Sequence, residues 1–443
     1  MSGSNDNPAR VRGEAHYLCR VTTPQRLVIV GAGAAGSMAA IAAAEAARAL
    51  DPAPEVLLLE RTRDGGRKIL ISGGGRCNVL PSALDPGRFV TDSSANTLRL
   101  ILRTWPLTEQ IRFFDERLGL QLTLEQESGK LFPRSNRARD VRDGLLDEAA
   151  RLGALLRFGA EVTDVACSDA GGWRVVLAGG EAIRADAVVL ATGGLSVPQT
   201  GSDGMGLRVA AALGHDLHPT YPALTPLTAS TPAHAALAGI SGTVTLRAAD
   251  GKRRWVASGG FLFTHRGYSG PTVLDLSHLA VRARLAQRPQ LITVQWTSDG
   301  AEAWDAALQG GGTVHVGTLI RRQLPERLGA MLLAIARVDG DTPVAQLRRG
   351  ERMRLVEALT AMPIPWTGDE GYRKAEVTGG GVALSEVDPR TMESRRRPGL
   401  FLSGEMLDAF GPIGGYNFLW AWVTGRAAGR GALQRMTAPH APR

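Results

Sequence analysis

The chain has 443 residues, a formal net charge of +8 and an ordinary 44% of hydrophobic residues. That length exceeds one hydrophobic core and predicts two or three domains, while no run approaches the roughly 18 apolar residues of a membrane span. Only four lysines occur (Lys68, Lys130, Lys252, Lys374), and the arginines are scattered without a basic block, so neither nucleic acid nor membrane is expected as a partner.

Residues 1–24 are polar, lack the apolar core of a signal peptide and are expected to be a disordered extension. Cys19, Cys77 and Cys167 are odd in number and far apart, which suits a reducing cytoplasm rather than a disulfide scaffold. His215, His218 and His234 show no metal-ligand spacing, so no metal is expected.

Residues 26–30 (RLVIV) are an apolar run of strand length, 31–36 read GAGAAG, and 37–50 are Ala-rich and uninterrupted by Gly or Pro. Strand, glycine turn and helix are the context in which G-x-G-x-x-G holds a dinucleotide. Gly31 permits the turn, Gly33 lets the backbone approach a pyrophosphate, and Gly36 lets helix and strand pack closely. The first-turn N–H groups and the helix dipole then face the phosphates. A second apolar run, 56–59, ends in Glu60, 24 residues past Gly36. That is close to the roughly 20-residue spacing of a carboxylate that binds the adenosine ribose.

Arg67, Lys68 and Arg76 bracket the sequence SGGG at 72–75 with positive charge. Three consecutive glycines belong where the backbone takes a positive φ or lies against a flat ligand, so this stretch is either a cradle leading to a flavin ring or a surface loop. Cys77 beside it is either a thiol of lowered pKa or, with no second cysteine near, a small cofactor-side residue.

Helical apolar spacing covers about 98–120 and 138–152, a strand is expected at 158–165, and 173–177 with 182–185 form a hairpin. The run 186–194 ends in ATGG, a buried strand whose Gly193 lies near the same ligand as Gly31. A helix follows at 203–213. From 218 to about 365 the pattern changes to short strands (242–248, 255–264, 291–296) and then helices near 325–338 and 344–362. This reads as a separate β-plus-helix domain inserted into the first.

After a linker at 363–368, the strand 375–381 ends in three glycines and the strand 399–405 turns at Gly404. Gly411, Gly414 and Gly415 precede an apolar helix over 416–429. The chain thus ends as it began, and the helix N-terminus near Gly415 suits the pyrimidine edge of a flavin, where reduction places negative charge. The expected domains are 1–24 extension, 25–217 and 369–432 a discontinuous cofactor domain, 218–368 the insert and 433–443 a flexible tail.

Taken together, VIVGAGAAG (28–36), KILISGGGRCN (68–78), KLFPRSNRARDV (130–141), ATGGLSVPQTGSDGMG (191–206), FTHRGYSGP (263–271), EVTGGGV (376–382) and GEMLDAFGPIGGYNFLWAWVTGRAAG (404–429) resemble the FAD-dependent flavoproteins that include BaiN-type bile-acid enone reductases and aminoacetone oxidases. The resemblance spans about 26–429 and is loose around 300–350. It implies an α/β fold: a discontinuous, Rossmann-like FAD-binding domain with an inserted β-rich and helical domain that covers the active site. It implies non-covalent FAD, with Gly31, Gly33, Ala35 and Gly36 at the pyrophosphate and Glu60 at the adenosine ribose. Arg61, Arg67, Lys68, Ser72, Gly75, Arg76, Cys77 and Asn78 would follow the cofactor towards its ring, and Val162 would meet the adenine. Ala191, Thr192 and Gly193 would close over it; Gly404, Glu405 and Asp408 would meet ribityl and phosphate groups; Gly415, Tyr416, Asn417 and Phe418 would edge the flavin.

Flavin does the redox work, and the protein must orient substrate, exclude water and supply a proton. Only one dinucleotide motif is present, so NAD(P)H, if it is the donor, docks transiently. His265 is either a proton donor or a structural imidazole, Ser269 lies in the same stretch, and Tyr416 either positions a substrate carbonyl or packs on the flavin. The leading expectation is a cytoplasmic monomer or homodimer that reduces an activated C=C bond of a small organic substrate. An amine or alcohol oxidase using O2, a non-catalytic flavin-binding protein and a tRNA-modifying flavoprotein are the alternatives.

Overall fold

The structure, a computed structural model, describes residues 25–438 apart from 170, 231–234 and 311–312. The expected extension at 1–24, Cys19, His234 and the last five residues of the expected tail lie outside the described residues.

The strand Arg26–Val30 is buried from Leu27 onward because it is the centre of a five-stranded sheet. It pairs in parallel with Glu55–Glu60 on one side and Ala187–Leu190 on the other. Leu155–Phe158 extends the sheet past the former and Leu400–Leu402 past the latter, both also parallel. Strands buried on both faces read as continuous apolar runs, which is why 27–30, 187–190 and 400–402 lack alternation.

The helix Ala34–Ala47 explains its own composition. Eleven of its residues are buried, because it is wedged between the sheet and the final helix Tyr416–Thr437. A β-carbon on Gly425 would come 2.2 Å from the carbonyl oxygen of Ala35, and one on Gly429 would come 2.2 Å from that of Ala39. Small residues on both helices let the two backbones approach this closely. The final helix runs to Thr437, so the stretch expected as a tail from 433 is helical as far as that residue.

The insert has its own core, centred on Phe261, Phe263, Trp296, Trp304 and Leu332. Its sheet runs in the order Met362–Pro363, Ile292–Gln295, Ser241–Asp250, Arg253–Phe263, Gly267–Ser269, Leu227–Thr228, Gly368–Asp369. The helix Pro271–Leu285 packs on this sheet. The apolar spacing had not singled it out, since the polar turn before it draws attention first; Pro271 in its first turn is the start signal.

Three further expectations differ from the structure. The strand expected at 375–381 is Val377–Val382, and it stands outside the parallel sheet: it pairs antiparallel with Leu217–Ala223, and the two strands form the stalk between the FAD-type domain and the insert. Its glycines serve close packing: a β-carbon on Gly379 would meet the Tyr221 ring at 2.3 Å, and one on Gly380 would meet the Pro219 carbonyl oxygen at 2.2 Å. The helical stretch expected at 98–120 is broken at Trp105-Pro106 into Ala95–Arg103 and Leu107–Arg112, with a π-helical turn at Phe113–Arg117. The strand expected at 158–165 is two, Leu155–Phe158 and Val162–Cys167, parted at Gly159 with φ +69°.

Candidate active site

All five parallel strands end on one side, and a cavity of about 510 Å³ opens there. Its first wall is the glycine turn. Gly31 adopts φ +101°, and a β-carbon there would lie 2.7 Å from the Ala191 carbonyl oxygen. Gly36 is tighter: its β-carbon would lie 1.7 Å from the Gly31 carbonyl oxygen. At Gly33 nothing lies within 4 Å of that position, so this glycine faces open space. Gly33 also begins the helix Ala34–Ala47, and no side chain caps it. An uncapped helix start at an open glycine suits an anion.

Glu60 is buried at the end of its strand and ties the turn together. One carboxylate oxygen accepts from the Ala32 N–H at 2.8 Å, the other from the Thr62 N–H at 2.8 Å and hydroxyl at 2.7 Å. Arg61 reaches Asp203 at 2.8 Å and Glu161 at 2.9 Å across the same end, beside Val162.

The opposite wall joins elements from both ends of the chain. Lys68 donates to Glu405 at 2.6 Å and to Ser196 at 2.7 Å. Glu405 also accepts from the Thr378 N–H at 3.1 Å, the Thr378 hydroxyl at 2.9 Å and the Ser196 hydroxyl. Gly73, Gly74 and Gly75 all take positive φ, and Gly74 has nothing within 4 Å of a notional β-carbon, so the expected cradle does present bare backbone. The final helix begins at Gly415, φ +92°, again without a side-chain cap. Asn417 fixes the loop before it by a two-way bond with the Gly411 backbone at 2.9 and 3.0 Å.

The cavity thus gathers Gly31, Gly33, Ala35, Glu60, Arg61, Arg67, Lys68, Ser72, Asn78, Val162, Ala191, Thr192, Gly193, Gly404, Glu405, Gly415, Asn417 and Phe418. Other residues singled out in the sequence sit behind the lining or away from it. Gly36 is in the helix–strand contact, and Gly75 flanks the loop. Arg76 pairs with Glu125 at 3.0 Å and lies over the Phe132 ring. Cys77 is fully buried, and burial pushes its thiol up to about 12, so it is a packed thiol and not a thiolate. Asp408 turns toward residues 91–93, accepting from the Asp92 and Ser93 N–H groups at 3.0 and 2.9 Å and from both neighbouring hydroxyls.

The three candidate catalytic side chains are not brought to the cavity. His265 is exposed at the tip of the turn after Arg253–Phe263, and Ser269 is half-buried at the end of Gly267–Ser269. The Tyr416 phenol donates to the Ala83 carbonyl at 3.2 Å, with its ring edge-on to Phe89. Of the FTHRGYSGP stretch, the cavity is lined only by Pro271.

Three groups not singled out in the sequence meet at the insert-side end. Lys130 packs its side chain against Gly414. Asp275, on the helix Pro271–Leu285, accepts from the Ile413 N–H at 2.7 Å, and burial pushes its carboxyl up to about 6. Glu376 lines the cavity and is exposed to that open space, yet the protein packed around the site desolvates its carboxyl and, with Asp275, raises it to about 7 against the pull of Lys130 and Lys68. No spacing rule distinguishes a carboxylate such as Glu376, one residue before a strand, from a solvated one. Among the described residues no helix is long and apolar enough to cross a membrane.

Comparison with known proteins places these features in context. The HI0933-like protein Rossmann domain matches residues 25–431. The chain is 33% identical over 401 residues to the ribosomal RNA dihydrouridine synthase of Escherichia coli, covering 89% of this chain and 94% of that protein. It is 31% identical over 416 residues to the 3-dehydro-bile acid delta(4,6)-reductase of Clostridium scindens, covering 93% and 99%. Among solved structures, the open conformation of a flavocytochrome c3 fumarate reductase aligns with a TM-score of 0.49 and 16% identity, over 94% of this chain and 79% of that one.

Proposed function

This chain belongs to the HI0933-like Rossmann-domain family of flavoproteins, and we propose that it is an FAD-dependent reductase of a C=C bond conjugated to a carbonyl, with the flavin recharged by NAD(P)H. The observation that carries this reading is the form of the cavity. An anion-binding half built on Gly33 and Glu60 is continuous with an end walled by Lys130, Pro271, Leu274 and Glu376. The names of both relatives support it, since forming dihydrouridine and a delta(4,6)-reduction each add hydrogen across C=C bonds.

Bound FAD supplies a two-electron hydride donor. The uncapped first turn at Gly33 would meet the pyrophosphate, and Glu60, which holds the glycine turn through Ala32, would also accept from the ribose hydroxyls. The second uncapped helix start, at Gly415, would place partial positive charge beside the ring. Lys68, held by Glu405 and Ser196, would lie along the ribityl chain. Pro271, Leu274, Phe410 and Ile413 exclude water from the reacting end.

Glu60→Ala is expected to weaken FAD binding roughly tenfold, since a charge-assisted hydrogen bond contributes about 1.5 kcal/mol or more. Fluorescence titration of the stripped protein with FAD checks it, and an unchanged dissociation constant would remove Glu60 from the ribose site.

The function is tested anaerobically. NADH or NADPH should bleach the flavin absorbance, and cyclohex-2-enone should restore it. A protein that takes up no FAD defeats the reading; recovery of colour with O2 alone, after reduction by an amine or alcohol, supports an oxidase. A second reading, in which the conjugated bond belongs to a uracil base of RNA, is favoured by the net charge of +8 and the 33% identical dihydrouridine synthase. Restoration of the colour by ribosomal RNA but not by the enone selects it.

A further inference from the structure

We propose that Glu376 delivers the proton that accompanies hydride in the reduction, an assignment that rests on the proposed C=C chemistry. The argument begins with which titratable side chains line the cavity and what each is doing. Glu60 is committed to the glycine turn, Arg61 to Asp203 and Glu161, Arg67 to Asp64, and Glu405 to Lys68, Ser196 and Thr378. Glu376 and Lys130 make no side-chain hydrogen bond or ion pair among the described residues, and both face the end where insert and FAD-type domain meet. Their side chains are therefore available to a substrate there.

The backbone holds Glu376 firmly. Its N–H donates to the Leu224 carbonyl at 3.1 Å, and its carbonyl accepts from the Ser196 hydroxyl at 3.2 Å. Ser196 is in turn bonded to Glu405 and Lys68, so the position of Glu376 is coupled to the wall of the cofactor site. The other candidate donors are spoken for: the Tyr416 phenol is bonded to Ala83, His265 is at an exposed turn, and Cys77 is buried behind the lining.

The electrostatics give the acid a usable proton. Desolvation, with Asp275 on the insert helix adding to it, raises the carboxyl to about 7 against the ammonium groups of Lys130 and Lys68. A group that is half protonated near neutral pH can both give up a proton and regain it. In the step, hydride forms a C–H bond at the carbon β to the carbonyl, the π bond breaks, and the Glu376 proton forms the second C–H bond at the α carbon. The reduced flavin is oxidised by two electrons, and the carboxylate takes a proton from water.

The test uses holoenzyme reduced with dithionite and mixed anaerobically with cyclohex-2-enone or uridine-containing RNA. Glu376→Gln should keep its FAD and its rate of reduction by NAD(P)H, while reoxidation by the acceptor falls about 100-fold or more. Glu376→Asp should recover part of that rate. A readout independent of turnover is the infrared band of a protonated carboxyl, which should titrate near pH 7 in the wild type and be missing from Glu376→Gln. An undiminished rate in Glu376→Gln, or an unchanged infrared titration, overturns the assignment alone. If the wild type itself transfers to no conjugated acceptor, the proposed function falls and this step with it. If Glu376→Gln loses FAD, Glu376→Asp carries the decision: a titrating band with acceptor-dependent reoxidation supports the acid, and a rate as low as that of Glu376→Ala overturns it.

Discussion

Gly36→Ala is expected to destabilise the protein by about 3 kcal/mol and to leave it without cofactor. One added methyl group would stand 1.7 Å from the Gly31 carbonyl oxygen and 3.3 Å from the Ala191 side chain. Overpacking a core usually costs about 1–3 kcal/mol, and the upper end applies because the obstruction is backbone. The helix cannot retreat, since its far side is clamped by the final helix at Gly425 and Gly429. Any accommodation must open the turn that holds Gly31. The neighbouring Gly33→Ala is the control: Gly33 has φ −79° and open space beyond it, so its methyl enters the cavity and should impair FAD binding at nearly unchanged stability. Thermal unfolding and the ratio of flavin to protein absorbance measure both. A Gly36→Ala protein that stays yellow and melts with the wild type would contradict the packing described.

The second large effect belongs to Glu405→Ala. This carboxylate, 18% exposed, accepts from Lys68, Ser196 and both donors of Thr378. Its removal strands the Lys68 ammonium and a backbone N–H. Breaking a fully buried pair costs about 3–5 kcal/mol; with Lys68 28% exposed the expected loss is about 2–3 kcal/mol. FAD affinity should fall as well, because the network sets the wall from Lys68 to Gly194. Glu405→Gln keeps the shape and an acceptor and should lose less on both counts. Urea unfolding of the two variants, with and without FAD, separates the contributions; equal stability of Glu405→Ala and wild type would show that solvent replaces the network.

Local patterns made much of this architecture legible. Strand, glycine turn and helix at 26–47 each have a short-range signature, and Glu60 follows at a spacing set by one βαβ unit. The change of composition near 218 marks the insert, whose sheet and separate core bear on that reading. What stayed hidden depends on partners far away in the chain. The glycines 379–381 look like ligand-facing backbone until Tyr221 and Pro219 are found against them. His265, Arg266 and Tyr268 carry reactive side chains at a strand end, but only the hairpin's placement says that its tip points away from the cavity. Conversely, Glu376 and Asp275 look like ordinary acidic residues in the sequence; it is the docking of the insert helix on Ile413 through Asp275 that brings them to the same end of the cavity.

The clasp between Ala34–Ala47 and Tyr416–Thr437 also bears on how the molecule is made. The first helix leaves the ribosome early, but the face that meets Gly425 and Gly429 is covered only when the last helix emerges, after the entire insert has been synthesised. At ordinary rates of translation that interval is on the order of tens of seconds. The edge strand Leu400–Leu402 also arrives after the insert, so Ala187–Leu190 is left with an open hydrogen-bonding edge for a somewhat shorter time. The insert, with a core of its own, can fold in the meantime. The nascent chain therefore carries an Ala-rich helix and a bare strand edge while its middle can already fold, which makes the part before the insert the one that needs shielding by a chaperone.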